Sequence, residues 1–509
     1  MKKLFVIMVS AILVLASCEK KYVDLEVNPN VPAAVPASLV LRGILTDMNE
    51  RPWNDVQRWN QFWCLNYNYY GTNEYNWGGV PMNYFTLKNV VKMEEEAKKS
   101  GAPDINPYSA LGKFIRAYYF YLMTSKVGDI PMTEALQGTQ NLTPKYNTQK
   151  EIFIQVLNWL EQANTDLTKL ISDVNTTLDG DIYFNNDLSK WRKVVNTFKL
   201  RVLIALSKKE GDADLAIKSK FQQVWNNKST TTPIMEGLAD NMAFRYGTFN
   251  KYPTNPDNFG FDATRQNMSK VHIDLNKQLN DPRIYVQATP APARLTSGLT
   301  TTDFNAYEGA SSGEGLDDMS SKANTGQYSF INRKRYYANY VGEPCIQIGY
   351  PEMCFNIAEA MNRGWITGDA EQWYKNGIMA SMAFYGIQDG SMTVEFNGYT
   401  SATTINLNNY YNQTSVKYAG NNITGLTQII QQKYLAFFNN SGWEAYFNWR
   451  RTGQPGFLSG PGTGNSGVIP KRYQYPLSEK QFNTTNVNTA IQSQYSGNDN
   501  LNSAMWLIQ

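Results

Sequence analysis

The chain has 509 residues, of which 42% are hydrophobic, 13% aromatic and only 18% charged. Its 47 basic and 44 acidic residues are interspersed, for a net charge of +3, and no basic stripe forms that would point to nucleic acid. One histidine, His272, and four cysteines without a Cys-x-x-Cys argue against zinc sites of the usual kind.

In chain order, the first element is an export signal. Met1-Lys2-Lys3 precedes a run from Leu4 to Ala16 that is apolar except for Ser10, and Leu15-Ala16-Ser17-Cys18 follows without an Ala-x-Ala site. The ending looks like a lipobox, which implies cleavage before Cys18 and lipidation of Cys18. The apolar run is well short of the about 20 residues of a membrane span. Residues 18–37 carry Pro29, Pro32 and Pro36 and read as an extended tether. Residues 38–509 form the body, longer than the about 250–300 residues that one core usually serves, so a second lobe or long insertions are expected.

The body is predicted to be mainly helical. Leu111, Phe114, Ile115, Tyr118 and Leu122 share one helical face that ends before Gly128. Ile152 to Leu170 and Trp191 to Ala205 repeat the period, the latter with Ser189 as its N-cap. Stretches 352–363 and 369–385, joined by a short Gly-containing turn, have the length of one helical-hairpin repeat, and a final long helix covers 426–438. Residues 226–262, 288–330 and 453–470 read as loops without helix, and 388–424 as loops and short strands. Long loops on a helical body are where function is expected.

Two short motifs mimic catalytic ones. Gly309-Ala310-Ser311-Ser312-Gly313 fits the nucleophile elbow but has loop on both sides, and the only histidine precedes it. Gly462-Thr463-Gly464-Asn465-Ser466-Gly467 fits the dinucleotide fingerprint, but Pro470 follows where a helix is required. Both read as loops, and His272 as structural. Glu314, Asp317 and Asp318 are oxygen ligands of the kind calcium takes. Their run lacks the spacing of a calcium loop, and no cofactor is assigned. With Cys18 assigned to lipid, Cys345 and Cys354 either form a bridge or remain, with Cys64, as buried thiols.

Aromatic side chains crowd residues 59–87. Trp59, Phe62 and Trp63 read as core. Tyr70, Tyr75 and Trp77, beside Gly and Asn, read as candidate ligand contacts, with Tyr307 in the 288–330 loop as a fourth. Exposed rings beside amide groups suit carbohydrate, because sugar C–H faces stack on rings and amides bond the hydroxyls.

Four stretches together resemble the SusD/RagB family of nutrient-binding outer-membrane lipoproteins. They are the start from Cys18 through Asn28-Pro29-Asn30 to Leu39; Arg116 to Phe120 with Val127-Gly128-Asp129-Ile130-Pro131; Asp181 to Arg201; and a C-terminal set. That set comprises Glu352-Met353 with Ile357 to Gly364, Gln432-Lys433-Tyr434, Glu444 to Gly453, Ile469-Pro470, Arg472 and Tyr475-Pro476. The resemblance implies tetratricopeptide-like helix pairs with long loops bearing the ligand site, and no catalysis. It also implies a lipid-anchored, cell-surface place in the outer membrane and docking as a lid on a SusC-like TonB-dependent transporter. Oligosaccharide is the expected cargo; the alternatives are a peptide-binding lipoprotein of the same system and a surface glycosidase. Trp191, Glu444, Trp449, Arg450 and Tyr475 read as fold-defining. Unlike many relatives, this chain follows its cysteine with one acid and two lysines, Glu19-Lys20-Lys21.

Overall fold

A computed structural model describes residues 35–396 and 399–509; the export signal, Cys18 and most of the tether lie outside them. The body opens with α1 (Ala37–Asp47) and α2 (Tyr84–Lys99), which pack together. Next come α3 (Pro107–Val127) and α4 (Gln149–Ser172), then α5 (Leu188–Ala205) and α6 (Ile217–Asn226). Helix α7 (Lys270–Leu279) and α8 (Leu316–Asn324) lie in the middle of the chain. The C-terminal half supplies α9 (Tyr350–Asn362), α10 (Ala370–Phe384), α11 (Ile423–Ala436), α12 (Glu444–Thr452) and α13 (Thr484–Tyr495). Consecutive helices pack as pairs: α1 on α2, α3 on α4, α5 on α6 and α9 on α10. This is the helical-hairpin architecture expected from the sequence.

Local chemistry sets the helix ends. Asn106 and Ser109 cap α3 reciprocally with Pro107 at its first position, and Thr148 with Glu151 does the same for α4. Gly128, at φ +104°, ends α3 where few other residues fit. Helix α5 starts one residue before Ser189: Asp187 is its cap and accepts from the Ser189 and Lys190 amides. The carboxylate there does the work expected of the serine hydroxyl.

Strands are few. The described residues form four two-stranded antiparallel ribbons: β1 (Trp63–Leu65) with β5 (Gln266–Met268), β2 (Ile130–Pro131) with β3 (Tyr146–Asn147), β4 (Met242–Phe244) with β6 (Cys345–Ile348), and the hairpin β7 (Gly390–Phe396) with β8 (Tyr399–Ile405). The stretches expected to lack helix do contain some. Short helices cover Phe259–Asp262 and Pro292–Thr296, and α8 falls within 288–330. Tertiary burial of Met319 and Ala323 outweighs the polar composition of α8. No described helix is long and apolar enough to cross a membrane.

The cysteine alternatives resolve as buried thiols. Cys64, Cys345 and Cys354 are all free. Cys345 lies in β6 with its Sγ 3.2 Å from the Glu50 carbonyl, whereas Cys354 lies within α9. Burial pushes the Cys64 thiol up to about 11 and that of Cys354 up to about 12.

One main apolar core draws on residues from Ala37 to Ile508. Through it passes a buried ionic cluster. The Arg201 Nε on α5 donates to Glu352 on α9 at 2.7 Å. Arg451 on α12 grips Glu359 on α9 through both oxygens, at 2.5 and 2.9 Å. Tyr121 on α3 donates to Glu444 on α12 at 2.9 Å, and Lys433 on α11 donates to Asn356 and Asn448. Burial works against the Glu359 anion, but Arg451 and Arg363 overcome it and hold the carboxyl at about 2, below its ordinary 4.5. Burial brings the Lys433 ammonium down to about 8.

The folded Glu359 pKa lies below the unfolded one. Its stabilisation is therefore full above pH 4.5 and is lost as pH falls toward 2. Glu359→Gln, which leaves Arg451 without its counter-charge, is expected to cost about 3–5 kcal/mol at pH 7. The variant should also lose stability less steeply than the parent between pH 4.5 and 2. Urea unfolding across that range checks both effects; an unchanged pH slope would remove Glu359 from the account.

Candidate functional site

The β1–β5 ribbon builds one end of the site. Leu65 pairs with Gln266, and the Asn66 amide donates to the Arg265 carbonyl at 3.0 Å, so Tyr67 leaves the ribbon beside Arg265. The Arg265 guanidinium sits 4.5 Å from the Tyr67 ring centroid. A single 3₁₀ turn, Asn68–Tyr70, then places Tyr69 and Tyr70 next to Tyr67, with centroid separations of 6.5, 6.1 and 5.2 Å. Gly71, at φ +129°, turns the chain back inward against Arg58.

These rings are open to solvent: Tyr67 is 43%, Tyr69 79% and Tyr70 36% exposed. Phe259, also exposed, meets Tyr337 edge-on at 5.4 Å. Tyr337 donates to Asp262, whose carboxyl is raised by burial, and lies within electrostatic reach of Arg333 and Tyr70. Arg265 and Arg333 make no ion pair among the described residues. The result is an arc of tyrosine faces flanked by guanidinium donors. Flat apolar faces beside charged donors can stack on a ligand ring and bond its hydroxyl or carbonyl oxygens.

At the other end of the ribbon, after β5, lies an open cleft of about 640 Å³. Lys270, Arg294, Glu308, Glu314, Lys322 and Tyr328 are among its lining. Glu308 is approached by Lys270, Lys277 and Arg294 at 3.8, 3.4 and 3.3 Å. Glu314 accepts from Lys322 and Tyr328. Asp317 and Asp318 stand in the first turn of α8, where they favour the helix dipole. Among the described residues, no group of three or more His, Cys, Asp or Glu is placed to hold a metal.

Of the four aromatic side chains singled out in the sequence, only Tyr70 belongs to the arc. Tyr75, Trp77 and Tyr307 are buried, and their ring faces are taken by protein. Tyr75 donates to the Trp59 carbonyl at 2.8 Å. Trp77 lies flat on Tyr473, centroids 4.4 Å apart at 5°, and meets Trp59, Trp443 and Tyr446 edge-on. Tyr307 donates to the Thr301 carbonyl at 3.0 Å. The reason is the path of the Gly-rich segment after Gly71. It folds onto the C-terminal loop, with the Tyr75 amide bonded to Thr463 at 2.6 Å and the Val80 amide to Gln474 at 2.9 Å. Composition marked this segment as non-helical, but it did not say which way the segment turned. Tyr67, Tyr69, Phe259, Tyr337, Arg265 and Arg333 were not singled out, because they are brought together only by the ribbon and by Tyr337.

The two motifs that mimic catalytic ones explain each other. The Gly462 amide donates to the Gly313 carbonyl at 3.1 Å, and a side chain at Gly462 would run into the Glu314 backbone. Glycine is required at this crossing for close backbone approach, not for phosphate or for a strained serine. Ser312 faces Cys64, 3.3 Å between Oγ and Sγ. His272 is buried in α7, bonded through Nε2 to Gln287 at 2.7 Å and stacked on Phe438. Burial lowers its pKa to about 4, so it stays neutral and structural.

Comparison with known proteins gives a consistent picture. A family profile, SusD-like and described as starch-binding and associating with the outer membrane, matches residues 36–476. A SusD homologue from Bacteroides fragilis is 32% identical, with a TM-score of 0.82 over 93% of this chain and 100% of its own. A second one from the same species is 31% identical, with a TM-score of 0.78 over 93% and 99%. A chitin-binding SusD homologue from Flavobacterium johnsoniae, at 20% identity, shares the fold with a TM-score of 0.68 over 92% and 98%. No curated protein matches the sequence.

The two groups of rings should respond differently to truncation. Trp77→Ala is expected to cost about 3–5 kcal/mol, whereas Tyr69→Ala should stay within about 0.5 kcal/mol of the parent. Urea unfolding of both variants checks this. Equal stability of parent and Trp77→Ala would place that ring outside the core.

Proposed function

The chain belongs to the SusD-like family, and we propose that it is a nutrient-binding outer-membrane lipoprotein that takes oligosaccharide on the Tyr67–Tyr69–Tyr70 arc. The observation that carries this reading is the exposure of three adjacent tyrosine rings beside the Arg265 guanidinium, which makes no ion pair among the described residues; the other large rings of those residues are mostly buried. Solvating such faces is unfavourable unless a partner covers them. Sugar C–H faces would stack on Tyr69 and Tyr70, while Arg265 donates to hydroxyls. The family's description as starch-binding supports a glycan over a peptide. Tyr75, Trp77 and Tyr307 then serve the site by fixing the loops that carry it.

In this reading the protein does no chemistry on its cargo. Lipid on Cys18 holds it at the cell surface of the outer membrane, and the proline-rich residues 18–37 tether a helical body that swings as a lid. The lid hands its cargo to a SusC-like TonB-dependent transporter. Arg265 and Arg333 could also meet the carboxylates of a peptide, so peptides belong in the same test.

Calorimetry of the purified protein against α-glucan, chitin and peptide panels is expected to show glycan binding. Tyr69→Ala and Tyr70→Ala should each weaken it about tenfold, equivalent to about 1.4 kcal/mol. Peptide binding alone would reassign the cargo, and binding of neither would reject the reading. For the anchor, Cys18→Ala is expected to move the protein from the membrane to the soluble fraction of the cell. Retention at the membrane would exclude Cys18 as the attachment.

A further inference from the structure

The ionic cluster in the core borders a small, partly open cavity of about 20 Å³, room for one water-sized particle. It lies where α3, α5, α11 and α12 meet, with Leu507 and Ile508 of the C-terminal segment also in its lining. Its charges do not balance. Arg201, Lys433, Arg450 and Arg451 line it with a single carboxylate, Glu444. Glu352 and Glu359 lie behind Arg201 and Arg451, with Arg363 also on Glu359. Five cations therefore share three carboxylates. Lys433 and Arg450 have no carboxylate within ion-pair distance among the described residues.

Two donors on the cavity wall are also unpartnered. Ser125 is buried and its Oγ has no hydrogen-bond partner among the described residues. The Arg450 Nε is also buried, with no partner at hydrogen-bond distance among the described residues, although both terminal nitrogens of this partly buried side chain donate, to the Lys471 and Ser125 carbonyls at 2.7 Å each, and Tyr446 lies against the guanidinium. An Nε–H can only donate, and a serine hydroxyl can. A particle that accepts from both and carries negative charge satisfies the donors and offsets the excess together. A water molecule does only the first.

We propose that this cavity is a binding site for one small monovalent anion, chloride under ordinary conditions, held by Ser125 Oγ and Arg450 Nε between the two halves of the helical body. Its occupant stabilises the packing of α3 and α5 on α11 and α12. The site is independent of the cargo arc, and its test does not depend on any glycan.

Thermal unfolding in sodium chloride and in sodium gluconate at equal ionic strength separates specific binding from screening. The midpoint is expected to be higher in chloride by about 2 °C or more and to saturate with concentration. Ser125→Ala should raise the half-saturating chloride concentration about tenfold, the size expected for one lost hydrogen bond to an ion. Crystals of the unaltered protein grown in bromide should show an anomalous peak among Ser125, Arg450 and Lys433. Equal midpoints in the two salts, with no bromide peak in the cavity, would leave water as the occupant and overturn the proposal.

Discussion

Buried charge is the constraint on which the body depends. Arg201 on α5 reaches Glu352 on α9, and Arg451 on α12 reaches Glu359 on the same helix. Each pair couples helices far apart in the chain. Such pairs add little net stability over apolar contacts of the same volume. What they do is penalise every other arrangement, since any packing that separates them leaves a bare ion in the core. Tyr121 on Glu444 extends the same discipline to α3. With α3, α5, α9 and α12 held in register, the helix pairs can stack in only one way, and the loops between them start and finish at fixed points.

The long loops are held down by one ring stack and by backbone hydrogen bonds. Trp77 on Tyr473, the Gly462 amide on Gly313 and the Tyr75 amide on Thr463 join the loops that follow Gly71, Gly309 and Gly453 into one layer. Among the described residues, an aromatic run escapes this layer at the turn after β1. Tyr67, Tyr69 and Tyr70 stand on the end of a three-residue ribbon whose partner strand delivers Arg265 beside them.

Much of the scaffold was legible in advance. The 3.6-residue period at Leu111–Leu122 and Ile152–Leu170 marked α3 and α4, because the apolar face that packs is the one the spacing displays. Trp191 and Tyr475, read as fold-defining, are buried. Glu444 and Arg450 bond within the body but not to each other, Glu444 to Tyr121 and Arg450 to two carbonyls. The site was less legible. Glycines around Tyr75 and Trp77 signalled a loop correctly, but a loop can fold inward, and this one does. Tyr307 misled in the same way. Exposure depends on which partner approaches from a distant part of the chain, and no local pattern encodes that Tyr473 covers Trp77. Tyr70 was singled out because its neighbours are polar; Arg265 was not, because its place beside Tyr67 follows from strand pairing across some two hundred residues.

Together, a charge-locked helical scaffold and a pinned loop layer present one exposed aromatic arc. A crystal structure of the protein with a bound oligosaccharide tests that claim most directly. Sugar rings lying flat on Tyr69 or Tyr70, with a hydroxyl bonded to Arg265, is the predicted result. Sugar bound elsewhere, with all three tyrosine faces bare, would contradict the account.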